Sequence, residues 1–201
     1  MARGPRYRVS FRRRREGKTD YKARKGLLLS GKPRLVPRVS HKNAVVQIVE
    51  AKLNGDQVLV SAHSRELTDN HGWKAPNGNV PAAYLTGLLC GLKAGAKGVK
   101  EAVLDTGLHS PTKGSRVFAA LKGVLDAGVD VPHSKDKIPE ESRTQGKHIE
   151  DYAKTLAPAV EEYQTSFSKY LKNDLRPENL VKHFAEVKMD ILESLRGGKR
   201  V

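Results

Sequence analysis

The first 42 residues of this 201-residue chain hold fifteen Lys and Arg against two acids, Glu16 and Asp20. That segment is net +13, out of +15 for the whole chain, which leaves the remaining residues close to neutral. A stretch so charged buries too little apolar surface to offset the entropy of ordering it. The chain therefore divides into a basic arm and a separate body that supplies the core. Thirteen like charges also repel one another, and a field of this strength is the footprint of a polyanion partner. The arm interleaves aromatics with its cations: Tyr7, Phe11 and Tyr21 lie among Arg6, Arg8, Arg12 to Arg15, Lys22 and Arg24. Phosphates need cations and unstacked bases need flat partners, so the pattern points to structured RNA with accessible bases.

The length fits one domain with appendages. The single cysteine, Cys90, excludes an intramolecular disulfide and sits in an apolar run, the setting of a small buried hydrophobe. That run, Val80 to Leu92, is too short to cross a bilayer and contains Pro81. No apolar segment of the signal-peptide kind follows the basic start. The expectation is a soluble, intracellular protein with no membrane contact.

Residues 1–17 are expected to lack structure until a partner binds. Thr19 or Asp20 can cap a short helix to about Leu29, ended by Gly31 and Pro33. Leu35 to Val39 reads as an edge or bulged strand because of Pro37. Val45 to Ala51 and Val58 to Ala62 read as a hairpin turning at Asn54-Gly55. Residues 63–79 read as a loop around Trp73, which is expected to pack inside. Pro81 starts a helix with Asn79 or Val80 before it. Gly87, Gly91 and Gly95 lie on one face of that helix, which they let approach a sheet. Ala102 to Thr106 is a buried parallel strand. Ser115 caps a helix over Arg116 to Ala127, ended by Gly128. Val129 to Val131 is a candidate last strand, and residues 133–146 a surface loop. The remainder is helical: Ile149, Tyr152, Ala153 and Leu156, then Val160, Tyr163, Phe167, Tyr170 and Leu171, keep helical spacing. A final helix from Pro177 buries Leu180, Phe184, Val187, Ile191 and Leu195 and stops at Gly197-Gly198. The order βββαβα followed by helices implies a mixed sheet covered by helices.

Two motifs invite an enzymatic reading. Leu104-Asp105-Thr106-Gly107 matches the aspartic-protease signature, in which two such carboxylates share a proton. The chain has one copy, in an α/β context foreign to those proteases, so a hydrolase using Asp105 is the disfavoured alternative. Pro111-Thr112-Lys113-Gly114-Ser115-Arg116 resembles a phosphate loop in composition but fails its spacing. Lys113 and Arg116 at that helix start are instead candidates to receive an RNA phosphate. The seven histidines form no HExxH and no zinc-spaced pairing with cysteine, so no metal site and no cofactor are expected.

Several segments, in order, resemble a known family. They are Gly4-Pro5-Arg6-Tyr7, Arg12 to Arg15, Thr19-Asp20-Tyr21 with Ala23-Arg24, and Gly31-Lys32-Pro33-Arg34-Leu35-Val36. They continue with Ser61-Ala62-His63-Ser64-Arg65-Glu66-Leu67, Ala82-Ala83-Tyr84-Leu85-Thr86-Gly87-Leu88-Leu89, Thr112 to Gly123, and Asp130-Val131-Pro132-His133. Together they resemble the archaeal form of the 5S-rRNA-binding large-subunit ribosomal protein eighteen, whose eukaryotic relative is large-subunit protein five. The resemblance implies an α/β, ribonuclease-H-like mixed sheet without catalytic carboxylates. It implies a structural, non-enzymatic role in the cytoplasmic large ribosomal subunit. The implied partners are 5S rRNA, the large rRNA and neighbouring proteins of the central protuberance. RNA contact carries over to Arg6, Tyr7, Arg12, Arg13, Arg14, Arg15, Tyr21, Arg24, Lys32 and Arg34. Arg3, Arg8, Lys18, Lys22 and Lys25 join them as cations of the same arm, and Arg38, Ser40 and Lys42 extend the set along the first strand. The expected division is an arm and short helix over 1–32, an α/β core over 33–133 and a helical extension over 134–201.

Overall fold

The computed structural model of the chain describes residues 4–196, with side chains through Ser194. The expected burial of Leu195, the Gly197-Gly198 stop and Arg3 lie outside the described residues. The first elements are α1 (Arg12–Arg15), α2 (Tyr21–Leu28), β1 (Arg34–Val39), β2 (Ala44–Lys52) and β3 (Gly55–His63). Then come α3 (Ser64–His71), α4 (Val80–Ala96), β4 (Val103–Leu104), α5 (Arg116–Asp126) and α6 (Glu141–Gln145). The chain continues with α7 (Lys147–Leu156), α8 (Val160–Ser166), α9 (Ser168–Lys172) and α10 (Leu180–Arg196). The strands form one sheet in the order β3-β2-β1-β4, antiparallel except for β4, which runs parallel to β1. This is the mixed sheet expected.

Pro37 explains why β4 is short. The N–H groups of Val103 and Asp105 donate to the carbonyls of Pro33 and Leu35. Residues two apart turn their backbone groups to the same edge, so Pro37 would come next, and it has no N–H to continue the ladder. Accordingly β1 is internal at Leu35 and an edge at Pro37. The strand expected over Ala102 to Thr106 shrinks to two residues, and Val129 to Val131 to a single bridge between Glu101 and Asp130.

The hairpin closes with Lys52 opposite Gly55, so Leu53 and Asn54 make the turn, one residue earlier than expected. Gly55 alone of the Asn54-Gly55 pair has positive φ, at 131°. Further along, Ile48 pairs with Val60 and Val49 with Val58, which leaves Leu59 as an extra residue. This bulge shifts the alternation, so Val58 joins Val49 on the outer face while Val60 and Ala62 stay on the inner one.

Residues 63–79 are not all loop. Ser64–His71 is helical because a histidine does the capping. The His63 ring nitrogen accepts from the Arg65 N–H, while Glu66 accepts from the His63 N–H at 2.8 Å. Trp73 is buried as expected.

Helix α4, capped by Asn79, lies on the inner face of the sheet against β2 and β3 and is covered by α5 and α10. Its glycines serve a helix–helix contact instead of the expected helix–sheet one. A Cβ on Gly87 would sit 2.0 Å from the Ala120 carbonyl oxygen, and one on Gly91 would sit 2.6 Å from Ala127 Cβ. Gly123 of α5 answers them, since its Cβ would lie 2.1 Å from the Tyr84 carbonyl oxygen. Gly95 faces open space and has no part in this contact.

Ser115 occupies the N-cap position of α5 without making the expected cap bond; its Oγ is buried and unpartnered. Residues 133–146, expected as a loop, include α6 and bury Thr144. Of the C-terminal periodic set, Ala153, Phe167 and Tyr170 are buried, whereas Tyr152 and Val160 are exposed. Leu180, Phe184, Val187 and Ile191 of α10 join the same buried cluster as the sheet and α4. Aromatic contacts fix this docking: Tyr84 meets Phe184 at 5.6 Å and Trp73 stacks on His183 at 5.2 Å between ring centroids. The His71 ring also contacts the Asp190 carboxylate at 2.6 Å.

Candidate nucleic-acid interface

No described residue from 4 to 32 is buried, so the arm stands on the body with its charge outward. It is nevertheless more structured than expected. Arg12–Arg15 forms one helical turn, stabilised by the Arg12–Glu16 ion pair at 2.8 Å and by Phe11 meeting Tyr21 at 5.2 Å. The Arg14 guanidinium lies 5.6 Å from the Tyr21 ring, and Arg13 Nε donates to Thr19 Oγ1 at 2.8 Å. Asp20 caps α2 by accepting from the Lys22 and Ala23 N–H groups. These contacts turn a charged segment into a short-range scaffold that spaces its cations.

One ion chain ties this scaffold to the sheet. Arg24 of α2 clasps Asp56 with two bonds, at 2.6 and 2.9 Å. Asp56 also holds Arg34 of β1 at 2.8 Å, and Arg34 reaches Asp105 at 2.5 Å. The Arg24 hydrogen bonds hold the Asp56 carboxyl below its ordinary range, helped by Arg34 and opposed by partial burial. The same contact raises the Arg24 guanidinium. Asp105, the residue of the protease-like motif, therefore serves as a counter-ion. Its second oxygen accepts from the Gly107 N–H at 3.0 Å, which closes the turn after β4.

Between the arm and the outer face of the sheet runs a groove of about 900 Å³. Arg13, Lys18 and Tyr21 line one side, and the turn Asp105 to His109 lines the other. Its floor is the outer sheet face, including Val36, Gln47, Val49 and Val58. Arg38, exposed at the end of β1, completes the basic rim.

The structure places the expected site residues in different settings. Arg6, Tyr7, Arg8, Arg12, Arg14, Arg15, Lys22 and Lys25 are exposed along the arm, while Arg13, Lys18, Tyr21, Arg24 and Arg38 surround the groove. Ser40 and Lys42 sit at the turn after β1, where Ser40 Oγ bonds with Asn43, and Lys32 pairs with Glu101 at 2.6 Å. Arg34 and Arg116 stand apart. Arg34 is 3% exposed and held by two acids. Arg116 donates to the Ser40 and Gly78 carbonyls at 2.6 and 2.7 Å, bracing two loops. Lys113 is exposed in a separate depression, beside Arg143 and Lys147. Asp56, Gln47 and His109 line the groove and were absent from the sequence reading, since nothing local distinguishes them from turn and strand residues.

Among the described residues no three His, Cys, Asp or Glu side chains come together to hold a metal, and no helix is long and apolar enough to cross a membrane.

Comparison with known proteins matches the chain to a family model and to curated relatives. The family model described as "Ribosomal large subunit proteins 60S L5, and 50S L18" matches residues 5–98 and 92–134. The "Large ribosomal subunit protein uL18" of Aeropyrum pernix is 54% identical over 197 residues, covering 98% of this chain and 92% of the relative.

Proposed function

The chain belongs to the family of ribosomal large subunit proteins 60S L5 and 50S L18, and from that premise we propose that its arm and groove bind 5S rRNA. It is a structural ribosomal protein of the large subunit and not an enzyme. In the proposed role it anchors 5S rRNA to the large rRNA in the central protuberance, beside other large-subunit proteins.

The observation that supports this reading is the arm itself. Net +13 is concentrated in 42 residues, and no described residue from 4 to 32 is buried. Arg12 to Arg15 stand on one helical turn, so their guanidinium groups fan out around it and cannot all face one phosphate. That suits several phosphates of a folded RNA. The arm residues named from sequence, together with Arg38, are the proposed contacts. Arg34 and Arg116 act in this scheme by positioning β1 and its turn.

The test is a salt titration of binding to 5S rRNA, with an unrelated structured RNA as competitor. Each neutralised phosphate releases condensed counterions, at a log–log slope of about 0.7–0.9 per contact. Replacing Arg12, Arg13, Arg14 and Arg15 with Gln should therefore flatten the slope by about 3. Equal slopes for the two proteins would remove this turn from the interface. Equal affinity for the unrelated RNA would remove the preference for 5S rRNA.

A further inference from the structure

The groove under the arm is not uniformly basic. Within it, Asp56 and Asp105 already neutralise Arg24 and Arg34. A phosphate pushed to the floor would meet those carboxylates. The outward-facing cations Arg13, Lys18 and Arg38 sit at the rim, Lys18 paired with Glu16 at 2.9 Å. The exposed apolar part of the floor is Val58, which the bulge at Leu59 turns outward to 47% exposure beside the buried Val49. Leu108, across the groove, is 59% exposed. Gln47 of β2, half-buried, also lines the groove. The volume of about 900 Å³ is within the about 300–1,000 Å³ of sites that enclose small molecules. That volume is too small to take in a duplex, whose bases are stacked away from side chains in any case.

We propose that the outer sheet face is a base-reading pocket, which takes an unpaired nucleobase of the bound RNA while the rim holds its flanking phosphates. A flat, neutral ring suits the valine and leucine surfaces, and the Gln47 amide can both donate to and accept from a base edge. The Asp56 and Asp105 oxygens retain lone pairs beyond those used by the arginines, so a base with an exocyclic amino group is favoured over uracil. The RNA element recognised is then a loop or bulge and not a regular helix. This inference rests on the reading that the chain binds 5S rRNA.

The experiment uses the full chain and a 5S rRNA transcript. The double variant Gln47→Ala with Val58→Ser changes no charge and alters two side chains that the core does not require. It should bind about tenfold more weakly, since base stacking and edge contacts are lost, with an unchanged salt slope. Wild type should protect at least one adenine N1 or cytosine N3 of the transcript from dimethyl sulfate, and the variant should restore its reactivity. Gln47→Leu, with matching melting temperature, separates loss of the amide from loss of the fold. Unchanged affinity in the double variant, or a flatter slope showing a phosphate on the floor, overturns the pocket and leaves the arm's role standing. A wild type that fails to bind the transcript overturns the 5S reading and the pocket together.

Discussion

Replacing Asp105 with Asn tests the ion chain that joins arm, sheet and turn. The Arg34 guanidinium is 3% exposed and rests between Asp105 at 2.5 Å and Asp56 at 2.8 Å. Removing one partner of a fully buried pair costs about 3–5 kcal/mol, because the remaining charge stays buried without compensation. Three features lower that figure here. Asp105 is 16% exposed, Asp56 keeps its contact with Arg34, and Asn retains one oxygen, which can accept from either Arg34 or the Gly107 N–H. The expected loss is about 2 kcal/mol. For a chain of this size, 1 kcal/mol shifts the midpoint by about 2–4 °C, so Tm should fall by about 4–8 °C. Arg34→Met combined with Asp105→Leu removes both charges and should recover part of the loss, since no orphaned charge remains between them. The assay is thermal and urea unfolding of the RNA-free protein for both singles and the double. An Asp105→Asn protein within about 0.5 kcal/mol of wild type would refute the dependence of Arg34 on this carboxylate. A double variant as unstable as the sum of its singles would refute their coupling. A peptidase activity lost in Asp105→Asn would refute the structural assignment altogether.

Glycine substitutions along α4 should separate sharply. Gly87→Ala drives a methyl into the Ala120 carbonyl and should cost about 1–3 kcal/mol or more, whereas Gly95→Ala, facing open space, should stabilise by up to about 1 kcal/mol; equal melting temperatures for the two would contradict the packing. His183 accepts from the Lys74 N–H through Nε2 and is half-buried on Trp73, so burial pushes its pKa down, with Lys74 adding to this and Glu186 opposing it. A depressed pKa contributes stability at pH above the ordinary 6.5, lost as pH falls through the lower folded value. Acidification should therefore loosen α10 before the core melts, read from fluorescence of the single tryptophan; a signal flat through this window until global unfolding would count against it. Burial also pushes the Cys90 thiol up to about 12. The native protein should thus resist alkylation at pH 8 and react after denaturation, and rapid native labelling would show that α4 opens.

What the sequence determined by itself is what neighbouring residues settle between them. The charge split separates arm from body, because no distant contact changes the sum of fifteen cations and two acids in 42 residues. Asp20 and Asn79 cap α2 and α4 through bonds to residues two or three positions on. The spacing of Leu180, Phe184, Val187 and Ile191 marks the buried face of α10 wherever that face docks. Tertiary structure decided whatever depends on a partner far along the chain. Ser115 had the right type and position for a cap, yet its hydroxyl makes no such bond, while His63, an unlikely cap by type, closes a reciprocal pair with Glu66. The glycines of α4 announced a close approach, but only packing showed that Gly123 of α5 comes to meet them. Arg34 read like every other arginine of the arm, and its burial follows from Asp56 and Asp105, 22 and 71 residues away. One inserted residue, Leu59, turned Val58 outward and so added it to the floor of the groove. Each of these outcomes rests on geometry between segments that meet only when the sheet forms, and a local pattern carries no information about which distant atom will arrive.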